Sequence, residues 1–155
     1  MNDTLITKAD IAFMREALAL AEAAAAEGEA PIGALLVCGD TVVASGYNHR
    51  ERDFDVTSHA ELEVLRQAGK KRGDWRLADC TLYVTLEPCP MCAGAILAAR
   101  VRRVVYGAKD ATAGAMGSVL NLPRFPLGAQ PAVVGGVLED ECRALLQAFF
   151  KQRRK

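Results

Sequence analysis

The stretch TLYVTLEPCPMCAGAILAARVRRVVY, running from Thr81 to Tyr106, decides the fold. Its opening residues, Thr81 to Leu86, are β-branched, aromatic or leucine and read as a strand. Pro88 follows, and Pro90 suits a first helical turn, because its ring fixes φ and its missing N–H has no partner to lose there. The helix so begun runs through Ala93-Gly94-Ala95-Ile96-Leu97, after which Val101 to Tyr106 is again a strand. Strand, helix and strand in this order form a right-handed crossover, which predicts a partly parallel sheet covered by helices.

Towards the N-terminus, Lys8 to Ala26 is alanine-rich and periodic, with Ile11, Met14, Leu18 and Ala21/Ala25 spaced for one apolar face and Gly28 placed as a C-cap. Ile32 to Val37 and Thr41 to Gly46 are β-prone and meet through Gly39-Asp40, so an antiparallel hairpin is expected. The polar segment from Asn48 to Thr57 is longer than an ordinary connection and reads as a functional loop. Ser58-His59-Ala60-Glu61 fits a capping box opening a helix that carries Leu62 and Leu65 and ends near Gly69. Towards the C-terminus, Asp110 to Gly128 is rich in Gly and Pro and reads as an ordered loop. A short strand near Ala132-Val133-Val134 and an amphipathic helix from Glu139 close the chain. Without repeats or low-complexity tracts, 155 residues are expected to form a single domain over 1–155.

Lys and Arg number 19, as do Asp and Glu, so total charge neither demands nor excludes a polyanionic partner. Clusters exist at Lys70-Lys71-Arg72, at Arg100, Arg102 and Arg103, and at Lys151-Gln152-Arg153-Arg154-Lys155; taken alone, each reads first as a solvated face or tail. No long uncharged apolar run and no basic-then-apolar leader is present, so membrane insertion and secretion are not indicated and a cytoplasmic location is expected. Five cysteines, an odd number, point to metal binding or burial and not to a disulfide framework. Cys38, Cys80 and Cys142 lie in apolar segments and are expected to be buried free thiols.

The chemistry concentrates in His59-Ala60-Glu61 and Pro88-Cys89-Pro90-Met91-Cys92. Together they supply an imidazole and two thiols at two helix starts. Three protein ligands suit a catalytic zinc, which keeps a fourth position for water, whereas structural zinc is usually closed by four. Cys89 and Cys92 share one face of the helix entry, where the helix dipole favours their thiolates. Singly, each element has a plainer use: a redox pair for Cys89 and Cys92, a capping-box partner for Glu61, a helix-start residue for His59. Jointly they predict one Zn2+ per chain held by His59, Cys89 and Cys92. Glu61 would then carry protons from water to a ring nitrogen and to a departing amino group.

This pattern is the His-x-Glu and Pro-Cys-x-x-Cys signature of the zinc nucleobase deaminases. More narrowly, the chain resembles the bacterial tRNA-specific adenosine deaminases, of the cytidine/deoxycytidylate deaminase superfamily. The likeness extends over Pro31-Ile32-Gly33-Ala34, Gly46-Tyr47-Asn48, Thr85 to Ala95, Gly107-Ala108-Lys109-Asp110 with Gly114 and Gly117-Ser118, and Phe149-Phe150-Lys151-Gln152-Arg153-Arg154. It implies a three-layer α/β/α cytidine-deaminase-like fold with a central mixed sheet of about five strands, and conversion of the wobble adenosine of a tRNA anticodon loop to inosine. It also implies that Asn48 hydrogen-bonds the target nucleoside, that Asp110 lies beside the substrate, and that the last helix contacts the anticodon loop, with Phe150, Arg153 and Arg154 as the candidates. A homodimer whose RNA site draws on both subunits is implied as well. The likeness breaks at Gly128-Ala129-Gln130, where many members carry Asn-His-Arg, and at Val56, where proline is common.

Other readings fit less of the sequence. Cytidine deaminases usually place Cys where His59 stands, and the riboflavin-pathway enzymes separate their cysteines further. Guanine deaminases share His-Ala-Glu and Pro-Cys-Pro-Met-Cys, which makes a free-base (guanine or cytosine) deaminase the main alternative, but the Asp110–Ser118 segment and the Phe-Phe ending favour the tRNA enzyme. A noncatalytic zinc-containing nucleic-acid-binding module leaves Glu61 without a task, and a redox protein leaves both His59 and Glu61 without one.

Overall fold

The computed structural model describes residues 3–153. Helix α1, Lys8–Ala26, opens on a reciprocal cap: Asp10 N donates to Thr7 Oγ1 (3.1 Å) and Thr7 N donates to the Asp10 carboxylate (2.9 Å). Its buried stripe is Asp10, Met14, Ala17, Ala21 and Ala24, while Ile11 is exposed and Leu18 half-buried, so the inner face is rotated from the expected one. The reason is Asp10, a charged residue that the stripe admits because Arg103 and Tyr83 meet it inside. Alanines on this stripe let α1 approach the sheet at Gly33, where any Cβ would run into the backbone of Ala17 and Ala21.

Strands β1 (Gly33–Cys38) and β2 (Thr41–Tyr47) form the expected antiparallel hairpin through Gly39-Asp40. The polar segment that follows contains a one-turn helix, α2 (Arg50–Asp53), and then α3 (Ala60–Arg72) begins. Strand β3 (Cys80–Leu86), helix α4 (Pro90–Ala98) and strand β4 (Arg103–Ala108) make the crossover. A 3-10 turn at Leu122–Arg124 interrupts the long loop before β5 (Ala132–Val134) and α5 (Glu139–Arg153). The sheet runs β2-β1-β3-β4-β5, with β1 antiparallel to both neighbours and β3, β4 and β5 mutually parallel.

Alternation along the strands sends side chains to two cores. Leu36, Leu82, Val84 and Val104 pack with Val64, Ala68, Ile96 and Leu97 from α3 and α4. Leu35, Val37, Tyr83 and Val105 pack with Met14, Ala17 and Cys142 from α1 and α5. Because both faces are covered, β1, β3 and β4 are buried almost throughout, while edge strand β2 stays largely exposed or half-buried. A polar tie crosses the second core: Arg103 donates twice to Asp10 (2.8 Å each) and Tyr83 Oη donates to it at 2.7 Å. Burial opposes ionisation of Asp10, but the hydrogen bonds from Arg103, Tyr83 and Thr7 outweigh it and hold the carboxyl well below the usual range.

Three expectations need correction. Ser58 does not cap α3: His59, with extended backbone, is the N-cap, and the Ser58 hydroxyl donates to Asp53 (3.2 Å). Glu61 is thereby released from a capping box. Helix α3 also continues past Gly69 to end on Gly73, whose positive φ of 66° closes it. Finally, Cys38 and Cys80 are joined in a disulfide, because the β1–β3 register sets them directly opposite, with Cα atoms 4.3 Å apart. Cys142 does remain a buried free thiol, and burial pushes its pKa up to about 12.

Candidate metal centre and active site

Two helix N-termini converge at one end of the sheet. Strand β3 runs out through Glu87 and Pro88 to Cys89, which has extended backbone and is the N-cap of α4; Pro90 takes the first turn and Cys92 falls one turn in, on the same side. His59 has the matching place at α3. Its Nδ1 lies 3.7 Å from Cys89 Sγ and 3.4 Å from Cys92 Sγ. Nitrogen and sulfur bound tetrahedrally to one zinc ion at their usual bond lengths would stand about 3.6 Å apart. The donor set and its spacing therefore fit zinc, with all three ligand atoms within 4.8 Å of one another.

The electrostatics favour the anion at one of the two sulfurs, that of Cys89. Hydrogen bonding from Cys92, opposed by burial and reinforced by His59, pulls the Cys89 thiol down to about 4. The Cys92 thiol is raised, since it donates to Cys89 and is itself buried, and the imidazole of His59 is raised by Cys89. Glu61, in the first turn of α3, is only 4% exposed and hydrogen-bonds with Cys92. Burial pushes its carboxyl up to about 7, against the favourable charge of His59. A carboxyl that titrates near neutrality beside a zinc-type ligand set can both take and return a proton.

Residues 8–154 match the MafB19-like deaminase family. The chain belongs to this deaminase family. It is 48% identical over 149 residues to a tRNA-specific adenosine deaminase of Bacillus subtilis, covering 94% of this chain and 91% of that one. A solved structure from biochemical and structural studies of A-to-I editing by tRNA:A34 deaminases superimposes with a TM-score of 0.85 at 43% identity, covering 87% of this chain and 99% of that one. A guanine deaminase structure from Bacillus subtilis gives a TM-score of 0.61 at 40% identity, covering 63% of each chain. The three layers of the deaminase are thus the cytidine-deaminase-like fold.

In the deaminase, Asn48 is 3% exposed at the end of β2, with its N–H donated to Ile32 O (3.1 Å). The next residue donates to Ser58 O (2.9 Å), which fastens the β2 end to the segment leading into His59. Asp110 is placed differently. Its Oδ1 accepts from Thr112 N, Thr112 Oγ1 and Ala113 N (3.0, 2.8 and 3.2 Å), so the carboxylate closes its own turn. Phe150 is 47% exposed in a cleft of about 510 Å³ shared with Lys109, Arg143 and Lys151. Arg153 stacks over Phe149 at 4.6 Å and donates to the Gly28 carbonyl. Arg154 lies outside the described residues.

Besides Asp10, two buried acids went unread in the sequence. Glu29 accepts from Glu51 N (3.0 Å) and Arg52 N (2.8 Å) and so fastens α2 to the end of α1. Glu87 accepts from the segment 110–118. Locally, Glu87 shows only as an acid just past the end of a strand, within the Thr85–Ala95 likeness and with no sign of its partners.

Proposed function

We propose that this deaminase hydrolyses the wobble adenosine of a tRNA anticodon loop to inosine, releasing ammonia. The observation that carries the reading is the near-full-length identity with a tRNA-specific adenosine deaminase, joined to the assembled set His59, Cys89, Cys92 and Glu61. His59, Cys89 and Cys92 would hold one zinc ion, which when bound lowers the pKa of a water from ~15.7 towards ~7. Glu61 takes a proton from the attacking water and gives it to the ring nitrogen beside the amine-bearing carbon. It then takes the second proton, from the hydroxyl now on that carbon, and gives it to the departing amino group; the C–N bond breaks as the carbonyl forms, so that water is consumed and ammonia leaves. Asn48, buried beside the His59 segment, orients the nucleoside.

An adenine splayed from a single-stranded loop reaches such a pocket at less cost than one in a duplex. The cleft of Phe150, Lys109, Arg143 and Lys151 offers a stacking face among cations, suited to the flanking RNA. Arg153 extends the same basic helix end, and Arg154 follows it in sequence as a further RNA-contact candidate. We assign the homodimer face to the groove of about 890 Å³ between α3 and α4, where Leu62, Leu65, Ala95, Ala98 and Ala99 surround Trp75, itself 54% exposed. We assign the enzyme to the cytoplasm on the strength of its bacterial tRNA-deaminase relatives; no described helix is long and apolar enough to cross a membrane.

The test is incubation of the zinc-loaded protein with an anticodon stem-loop bearing a wobble adenosine, beside free guanine, cytosine and adenosine, with products scored by mass. Inosine in the stem-loop alone, lost in Glu61→Gln while zinc is retained, is the expected result. Turnover of a free base without stem-loop product would overturn the RNA assignment, and full activity of Glu61→Gln would overturn the mechanism.

A further inference from the structure

Glu87 stands between the sheet and the first cysteine of the metal group, and none of the proton transfers assigned above uses it. Its N–H donates to Ala108 O (2.9 Å), which fixes its backbone on β4. Its side chain is 1% exposed, yet both oxygens are engaged. Oε1 accepts from Asp110 N (3.1 Å) and from the Ser118 hydroxyl; Oε2 accepts from Met116 N (3.0 Å) and Ser118 N (3.1 Å). All four partners are donors. A carboxylate has acceptor positions for four and no donor of its own, whereas an amide would turn N–H against N–H.

The segment 110–118 is fitted to this carboxylate. A Cβ at Gly114 would stand 2.5 Å from Glu87 Cδ and from Asp110 O, so only glycine lets the chain lie flat there. Ala115 N donates to Pro88 O (2.8 Å), which ties the same segment to the residue preceding Cys89. On its outer side, Ala111, Gly117 and Ser118 line a cleft of about 620 Å³ with Lys109 and Arg143. The segment therefore has the cysteine motif behind it and cationic side chains in front.

We propose that Glu87 is a positioning residue for the nucleic-acid substrate: its carboxylate holds the segment 110–118 in register with the cysteine motif, so that the RNA-facing wall and the metal group keep a fixed separation. The proposal rests on the tRNA reading for its ligand. Glu87 moves no proton, and its removal weakens substrate binding more than it slows the chemical step.

The experiment compares wild type, Glu87→Gln, Ser118→Ala and the double variant, all zinc-loaded. Without substrate, amide hydrogen exchange at Asp110, Met116 and Ser118 should quicken about tenfold or more in Glu87→Gln, with the α1 and β1 amides unchanged. With the stem-loop, KM should rise about tenfold while kcat stays within about twofold, and zinc content should not change. Ser118→Ala should raise KM by about threefold, and the double variant should be no worse than Glu87→Gln, because both changes remove one network. Ser118→Ala carries the test if Glu87→Gln does not fold. Unchanged exchange at the three amides would overturn the proposal, as would faster exchange with an unaltered KM. A fall in kcat together with loss of zinc would overturn it too, by assigning Glu87 to the cysteine ligands. Wild-type turnover of the stem-loop tests the tRNA reading separately, since the exchange measurement needs no substrate.

Discussion

Strand β3 has a cysteine pair at each end, and the pairs differ in everything but residue type. At its start, Cys80 meets Cys38 across two antiparallel strands and the sulfurs are bonded, although 42 residues separate them in sequence. Beyond its finish, Cys89 and Cys92 are three residues apart and remain thiols. Arg72 attends the first pair, with Nη1 3.0 Å from Cys80 Sγ and 3.5 Å from Cys38 Sγ; His59 attends the second. Extended neighbours at one register position bring two sulfurs directly opposite, close enough to bond to each other. A helix N-terminus turns both sulfurs towards a partner on another helix, and their surroundings favour the anion at Cys89. The backbone beneath the side chain decides whether cysteine acts as staple or ligand.

The sharpest way to break this comparison is to exchange the fates of the pairs. Cys92→Ala should lose stoichiometric zinc and lower deamination by on the order of a thousandfold, whereas Cys80→Ala should keep both zinc and turnover at 25 °C, read by metal analysis and product mass. Reduction tests the first pair directly. Opening a loop of 42 residues removes a constraint worth ~4 kcal/mol in the chain-entropy account, so the melting temperature should fall by roughly 10 °C in a non-thiol reductant. Cys38→Ser should show the lower value with or without reductant. An unchanged melting temperature would mean that the bond does not constrain the chain in solution.

Midway along β3, Tyr83 joins Asp10 and Arg103 in a tie that uses no sulfur. The folded state holds the Asp10 pKa below its unfolded value, so its contribution is complete above the unfolded pKa near 4 and is lost as pH falls below it. Asp10→Asn should therefore be less stable than wild type by ~2–3 kcal/mol at pH 7, with the gap narrowing in denaturant titrations as the pH drops below about 4. The smallest effect is expected at Arg72. Its bond to Asp79 (2.9 Å) is largely exposed, so Arg72→Gln should cost under ~1 kcal/mol in the same titration.

What could be read from the sequence was what local rules control. Gly39-Asp40 announces its turn, Pro90 its helix start, and His59, Cys89 and Cys92 declare themselves by residue type and spacing. The α1 face was misjudged because Ile11 and Leu18 look more apolar than Ala17 and Ala24, while the position that matters most is held by a charged residue whose partners, Tyr83 and Arg103, come from distant strands. Cys38 and Cys80 went unpaired because the β1–β3 register is not a local property. Glu87 was silent for the same reason: its donors follow 23 to 31 residues later, in a loop with no periodicity of its own.

The Cys38–Cys80 bond closes a ring, and His59 lies at its midpoint, 21 residues from either cysteine. An unfolded chain with this bond closed holds His59 by two arms at once, which together behave as a single tether of about ten residues. Nine further residues lead from the closure to Cys89. The imidazole and the two thiols then search for one another as if joined by about 20 residues and not 30, which raises their mutual concentration about twofold. A crosslink at the far end of the sheet thus shortens the path by which a refolding chain brings His59, Cys89 and Cys92 back together.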